Sequence, residues 1–278
     1  MCTTCGCGAA DTRIEGEVRF RSLSAHGPAG YLGLGRGVTG SRPTDAAPAR
    51  RVSIEQDILA ENDRHAAANR RRFAERGILA LNLLSSPGSG KTTLLVRTLE
   101  ALRDRLPMAV VEGDQQTSLD AERIRATGVP AIQINTGKGC HLDAAMVGRA
   151  VARLAPAEAS LLLIENVGNL VCPAAFDLGE AHKVVVLSVT EGEDKPLKYP
   201  DMFRAADLLL LSKWDLLPYV AFDPERALSY ARQVHPGLPA IRVSAVTGEG
   251  FGAWLAWIEQ GWGRRRAGQP PTGFIRKL

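Results

Sequence analysis

Residues 85–93 read SSPGSGKTT, a glycine-rich run closing on Gly90, Lys91 and Thr92. It fits the spacing G-x-x-x-x-G-K-[ST] at every position except the first, where Ser85 stands in place of glycine. The apolar stretch ILALNLL leads in, and an apolar, helix-compatible sequence leads out from Thr92. A strand, a glycine turn and a helix in that order aim several backbone N–H groups at one point and add the positive end of the helix dipole. That arrangement cradles a nucleotide phosphate. Pro87, Gly88, Ser89, Gly90 and Thr93 would line the cradle, Lys91 would neutralise β- and γ-phosphate oxygens, and the Thr92 hydroxyl would ligate Mg²⁺.

Working outward, seven short apolar runs alternate with amphipathic stretches: ILALNLL, MAVVE, AIQI, SLLLIE, KVVVLSV, DLLLLS and AIRVS. Runs of this length without polar alternation suit strands buried on both faces. The expectation is an α/β fold, a P-loop NTPase whose mostly parallel seven-stranded sheet is flanked by helices. Upstream, Ser53 followed by Gln56 makes a capping-box signature, predicting a helix from there to Gly77. Residues 8–50, rich in Gly, Ala, Arg and Pro, show neither helical nor strand periodicity and read as a flexible linker. The predicted organisation is an N-terminal cysteine motif over 1–8, a linker over 9–52 and a nucleotide-binding domain over 53–278.

A P-loop domain needs a carboxylate near Mg²⁺ at a neighbouring strand end. LLLIENVGN offers Glu165, with Gly168 three positions on as a γ-phosphate sensor through its backbone N–H. Asp114, past the end of MAVVE, is a second carboxylate able to reach Mg²⁺. Late in the chain, LLLLSKWDLL resembles the N-K-x-D element of GTPases, with Ser212 replacing Asn. The Asp215 carboxylate accepts from two guanine donors that adenine lacks, while the Lys213 stem would cover the ring. Ser244 and Ala245 of VSAVTGEG match the loop that closes over the base. GTP and GDP are therefore the expected nucleotides.

The chain carries five cysteines, three of them Cys2, Cys5 and Cys7 at its start. An odd number in a reducing compartment points to metal or redox chemistry rather than a disulfide framework. Three thiolates so close together can wrap one soft ion without a folded scaffold, the alternative being a solvated redox motif. Cys140 and His141 are adjacent in GKGCHLD, and Cys172 lies four residues beyond Gly168. Two thiols and an imidazole suit Zn²⁺ or Ni²⁺, and their position by the predicted switch would couple metal to nucleotide. Taken singly, Cys140 and Cys172 are better explained as buried structural thiols than as ligands, and it is their position that favours a metal.

The balance of 34 basic against 30 acidic residues gives a net charge of +4 and no basic stripe, so nucleic acid is not an expected partner. No apolar stretch approaches the ~18 residues a membrane span needs, and no signal sequence opens the chain; a cytoplasmic location is expected, with no membrane contact.

With these motifs assembled, the chain resembles the HypB family of hydrogenase-maturation GTPases. SSPGSGKTTLL, ENVGNLVCPAAFDLGE and VTEGEDKPLKYP are the stretches specific to that resemblance. The resemblance implies a fold of the signal-recognition-particle/MinD/BioD class and a GTP-dependent homodimer. As partners it implies a HypA-type nickel chaperone, the hydrogenase large subunit and a SlyD-type protein. It further implies that Cys2, Cys5 and Cys7 hold Ni²⁺ tightly, and that Cys140, His141 and Cys172 form a weaker Ni²⁺/Zn²⁺ site. A histidine that some relatives carry near the Cys-His pair is replaced by Ala145, and the single linker histidine, His26, argues against bulk nickel storage. Lys195 and Lys198 could reach nucleotide across a dimer or be surface lysines. No arginine stands out as a finger in cis, so hydrolysis should be slow. The alternatives are a urease-type nickel GTPase, a nickel or zinc buffering protein with regulatory nucleotide binding, and a zinc-stabilised scaffold.

Overall fold

The computed structural model of the chain describes residues 13–14, 46–114, 119–137 and 139–269. The seven apolar runs all form strands: β2 (Leu79–Ser85), β3 (Met108–Asp114), β4 (Ala131–Asn135), β5 (Leu161–Glu165), β6 (His182–Ser188), β7 (Leu208–Ser212) and β8 (Ala240–Arg242). They lie parallel in the order β4-β3-β5-β2-β6-β7-β8, the architecture of a P-loop NTPase. Chain order reverses across β2, so the crevice at its carboxyl end is where a doubly wound sheet binds ligands.

An eighth strand was not legible in the sequence. β1 (Arg13–Ile14) pairs antiparallel with the edge of β4, Arg13 opposite Asn135 and Ile14 opposite Ile134. It falls inside the stretch read as linker, and two residues are too few to show a period. Its anchor is burial, since Ile14 joins the core formed by Phe73, Ile134 and Leu142.

Helices cover both faces. They are α1 (Ala46–Glu75), α2 (Lys91–Leu102), α3 (Leu119–Arg125), α4 (Ala144–Leu154), α5 (Lys195–Lys198), α6 (Pro200–Ala205), α7 (Pro224–Val234) and α8 (Phe251–Arg266). The first begins seven positions before Ser53 (53 − 46), so the capping-box reading placed its start too late. Ala46, Ala47 and Ala49 favour helix strongly, and Pro48 falls in the first turn where proline is tolerated. That helix crosses the boundary predicted at residue 52.

Within the continuous apolar strands, alternate residues face opposite layers. Leu79, Leu81 and Leu83 of β2 meet Leu94, Leu95 and Leu99 of α2 together with Trp254 and Ile258 of α8. Ala80 of β2 and Leu162 of β5 turn the other way, toward Phe73 of α1 and Val147 of α4. Beyond β2, Val185 of β6 and Leu209 of β7 pack on Phe203 of α6 and Leu228 of α7. The three layers fix the sheet's carboxyl ends, and every functional segment hangs from them. No described helix is long and apolar enough to cross a membrane.

Candidate nucleotide and metal site

The loop from Ser85 to Lys91 owes its shape to Gly88 and Gly90, whose φ of 73° and 92° are left-handed. Ser85 is fully buried at the end of β2, where its hydroxyl accepts from Lys91 Nζ at 2.7 Å and Ser89 Oγ at 2.5 Å. The residue standing in for glycine is thus a hub holding the loop and its lysine. Pro87 to Thr93, Asp114, Glu165, Gly168 and Lys213 line one cleft of about 520 Å³. The sequence-predicted phosphate and Mg²⁺ residues therefore converge.

Thr92 Oγ1 donates to Glu165 Oε1 at 2.7 Å. Glu112, on the neighbouring strand, sits directly opposite Glu165 in register, a residue sequence reading passed over. Burial pushes the Glu165 carboxyl up to about 7, against the opposing pull of Lys91 and Thr92. Burial, then the charges of Glu165 and Asp114, push Glu112 up to about 8. Burial also lowers the Lys91 ammonium. Glu112 Oε2 and Glu165 Oε2 are buried without a hydrogen-bond partner. Two unsatisfied carboxylate oxygens beside a threonine hydroxyl are what a divalent cation would satisfy, so the residues fit Mg²⁺.

On the base side, Asp215 Oδ1 accepts from Ser244 Oγ at 2.5 Å, and that hydroxyl in turn accepts from the N–H of Val246 and Thr247. Arg97 of α2 braces the loop by donating to the carbonyls of Ala245 and Val246. Asp215 lines a second, open pocket with Trp214, Leu217 and Thr247. Lys213 Nζ donates to the Gly88 carbonyl at 2.7 Å, so its stem lies beside the phosphate loop.

The metal candidates also meet. The ligand atoms of Cys140, His141 and Cys172 all lie within 4.8 Å of one another. Cys140 Sγ is 3.5 Å from His141 Nδ1, and the His141 ring packs on Phe176 at 4.0 Å between centroids. Burial lowers the imidazole's pKa, keeping it neutral and able to ligate. Cys2, Cys5 and Cys7 lie outside the described residues.

The sequence profile described as CobW/HypB/UreG, nucleotide-binding domain, matches residues 79–242. Hydrogenase maturation factor HypB of Azotobacter vinelandii is 59% identical, the alignment covering 95% of this chain and 94% of that protein. The chain belongs to the HypB family. The HypB of Escherichia coli K12 is 54% identical over 93% of this chain and 98% of its own length. Two solved HypB structures superpose with TM-scores of 0.69. That from Archaeoglobus fulgidus is 41% identical and covers 73% of this chain and 99% of its own. That from Helicobacter pylori, in complex with nickel, is 38% identical and covers 77% and 100%.

In this member of the HypB family the nucleotide cleft and the metal candidates are joined by one segment. A Cβ added to Gly168 would lie 3.0 Å from Pro87 Cα, tighter than ordinary van der Waals contact, so glycine lets the chain approach the phosphate loop this closely without displacing Pro87. The next residue, Asn169, donates to the Cys140 carbonyl at 3.3 Å, and Cys172 opens the turn Cys172–Ala174. Asn166 Oδ1 accepts from the Leu142 N–H at 3.1 Å, tying the Cys-His loop to the end of β5. Asn166 and Asn169 carried no sequence signal, because a lone asparagine after a strand reads as a turn former. Arg123 of α3 reaches the cleft wall beside Thr93 while paired with Asp120, an arginine sequence reading overlooked. Lys195 pairs with Glu191 and Lys198 with Asp194 within the chain.

Proposed function

We propose that this HypB-family chain is a nickel-handling GTPase that regulates metal delivery in hydrogenase maturation. GTP would bind in the cleft at the end of β2, with guanine read by Asp215. Ni²⁺ or Zn²⁺ would be held by Cys140, His141 and Cys172, and Ni²⁺ by Cys2, Cys5 and Cys7. Two copies would pair in the GTP state and act in the cytoplasm with a HypA-type chaperone, a SlyD-type protein and the hydrogenase large subunit.

The observation that carries this reading is the continuity of the segment 165–172. Gly168 packs on Pro87, Asn169 bonds the loop of Cys140, and Cys172 follows four positions after Gly168. A γ-phosphate drawing on the Gly168 N–H would shift the segment that ends in a metal ligand. By linkage, metal binding would alter nucleotide affinity by the same factor.

Hydrolysis would rest on positioning. The Lys91 ammonium and the N–H groups of the loop would hold the γ-phosphate in line with water. Thr92, Glu165 and Asp114 would hold Mg²⁺, which supplies positive charge to the phosphate oxygens as the bond to the leaving group breaks. With Arg123 held by Asp120 at the cleft wall, turnover should be on the order of 10⁻² s⁻¹ or lower.

Support for metal exchange within one chain comes from β1. Arg13 follows Cys7 by six positions and pairs with Asn135, which precedes Cys140 by five. Six residues span at most about 20 Å, so the leash is far shorter than the forty residues that composition suggested. Ni²⁺ titration of the full chain and of a variant lacking residues 1–7, each with GDP or a non-hydrolysable GTP analogue, tests the reading, with Lys91→Ala as the turnover control. Equal Ni²⁺ affinity of the internal site in both nucleotide states would sink the coupling.

A further inference from the structure

Every residue of β6 is buried, and one of them, Lys183, is charged. An interior ammonium is tolerated only if its three N–H bonds find acceptors. Those of Lys183 are directed at the carbonyls of Ala174 and Phe176, each at 3.0 Å, and of Pro173 at 3.5 Å, with Glu180 Oε1 at 3.8 Å. The carbonyls of Pro173 and Ala174 belong to the turn that Cys172 opens, and that of Phe176 follows it by two positions. The same stretch is fixed from its other side by α1, where Asn62 donates to the Asp177 carbonyl, Asn69 to the Leu178 carbonyl, and Arg70 pairs with Asp177. The residues before Cys172 are held differently: Val171 is 61% exposed and Asn169 ties them to the Cys140 loop, while Leu170 is their buried contact with the core, in the cluster of Leu84 and Val185.

Cys172 therefore stands at the boundary between a stretch that touches the phosphate loop and one that is bolted to the sheet. We propose that Lys183 is a positioning residue of the metal site, an interior clamp that fixes the turn behind Cys172. Motion of Gly168–Val171 is then delivered to the Cys172 thiolate while His141, braced by the ring of Phe176, stays in place. The inference rests on Cys140, His141 and Cys172 binding metal. An apolar residue at 183 would fill the space equally well but leave three carbonyls without their donor, which frees the turn and the Phe176 ring together.

The test uses the full-length chain with Cys2, Cys5 and Cys7 changed to alanine, so that added Ni²⁺ reads the internal site alone. If this parent binds no Ni²⁺, the metal reading itself fails. If it does, Lys183→Met should weaken Ni²⁺ binding by about 10- to 100-fold, as loss of a support for a ligand does. It should also change the thiolate-to-nickel absorption and bring the ratio of Ni²⁺ affinities between GDP and the GTP analogue to about one, leaving GDP affinity as in the parent. Lys183→Arg, which keeps a charged donor, should recover part of the spectrum. Parental Ni²⁺ affinity and parental nucleotide dependence in Lys183→Met would overturn the clamp. Should that variant not fold, amide hydrogen exchange of the unsubstituted chain decides: replacing GDP by the analogue should alter residues 168–171 and leave 174–178 unchanged. Equal changes in both stretches would overturn it.

Discussion

Ser212, at the end of β7, donates a hydrogen bond of 2.7 Å to the Ser89 carbonyl in the phosphate loop. The side chain that replaces the asparagine of N-K-x-D thus ties the strand carrying Lys213 and Asp215 to the turn that would hold phosphate. Removing this buried bond with Ser212→Ala should raise the Kd for GDP by about 2- to 10-fold, the effect of one neutral hydrogen bond. Calorimetric titration reads it. An unchanged Kd would show that the tie is passive.

Asp215 is oriented by Ser244, whose hydroxyl donates to it. Asp215→Ala should weaken GDP binding by about 10- to 100-fold, the loss of hydrogen bonds to a charged acceptor, and reduce the preference of GDP over ADP toward one. Competition binding with both nucleotides checks this.

Gly168 lies against Pro87, where a Cβ would crowd the proline backbone at 3.0 Å. Gly168→Ala should therefore push the segment 168–171 off the phosphate loop. GTP turnover should fall at least about tenfold, while GDP, which lacks the γ-phosphate, binds nearly as before. Single-turnover hydrolysis beside GDP titration separates the two effects.

Glu112 and Glu165 set a pH dependence. Both carboxyls are raised on folding, to about 8 and about 7, so between the usual carboxylate range and those values the folded chain holds protons that the unfolded chain has lost. Their contribution to stability is whole below about 4 and is lost as pH rises through about 7 and 8. Without nucleotide and Mg²⁺, the thermal midpoint should drop between pH 6 and pH 8.5 by more than in Glu112→Gln, which cannot ionise. Adding Mg²⁺ with GDP should flatten the slope.

Trp254 is the largest fully buried side chain among the described residues, and its indole N–H donates to Thr98 Oγ1 at 2.9 Å, pinning α8 to α2. Trp254→Ala should destabilise the domain by about 3–5 kcal/mol, the range for emptying an aromatic site in a core. Urea unfolding of the apo chain measures it.

The phosphate loop, the seven parallel strands, Glu165, Asp215 and the Cys140–His141 pair were legible because each is a local pattern: a spacing, an apolar run or a residue at a strand end. The start of α1 was misplaced because a capping signature inside a strong helix-forming stretch does not stop the helix. β1 was invisible because a two-residue strand exists only through the edge it pairs with and the core that takes Ile14.

By itself the sequence determined the chemistry available: a lysine and a threonine on a glycine loop, a carboxylate able to read guanine, thiols and an imidazole able to take a soft metal. Tertiary structure alone decided how these act on one another. The register of β3 and β5 sets Glu112 against Glu165, the fold of Gly168 onto Pro87 brings the segment leading to Cys172 against the phosphate loop, and Lys183 reaches from β6 to hold the turn behind Cys172. Such couplings depend on which strand ends and turns meet in space: the first two join residues far apart in the chain, and the third needs β6 buried in the sheet to turn Lys183 back onto the loop before it.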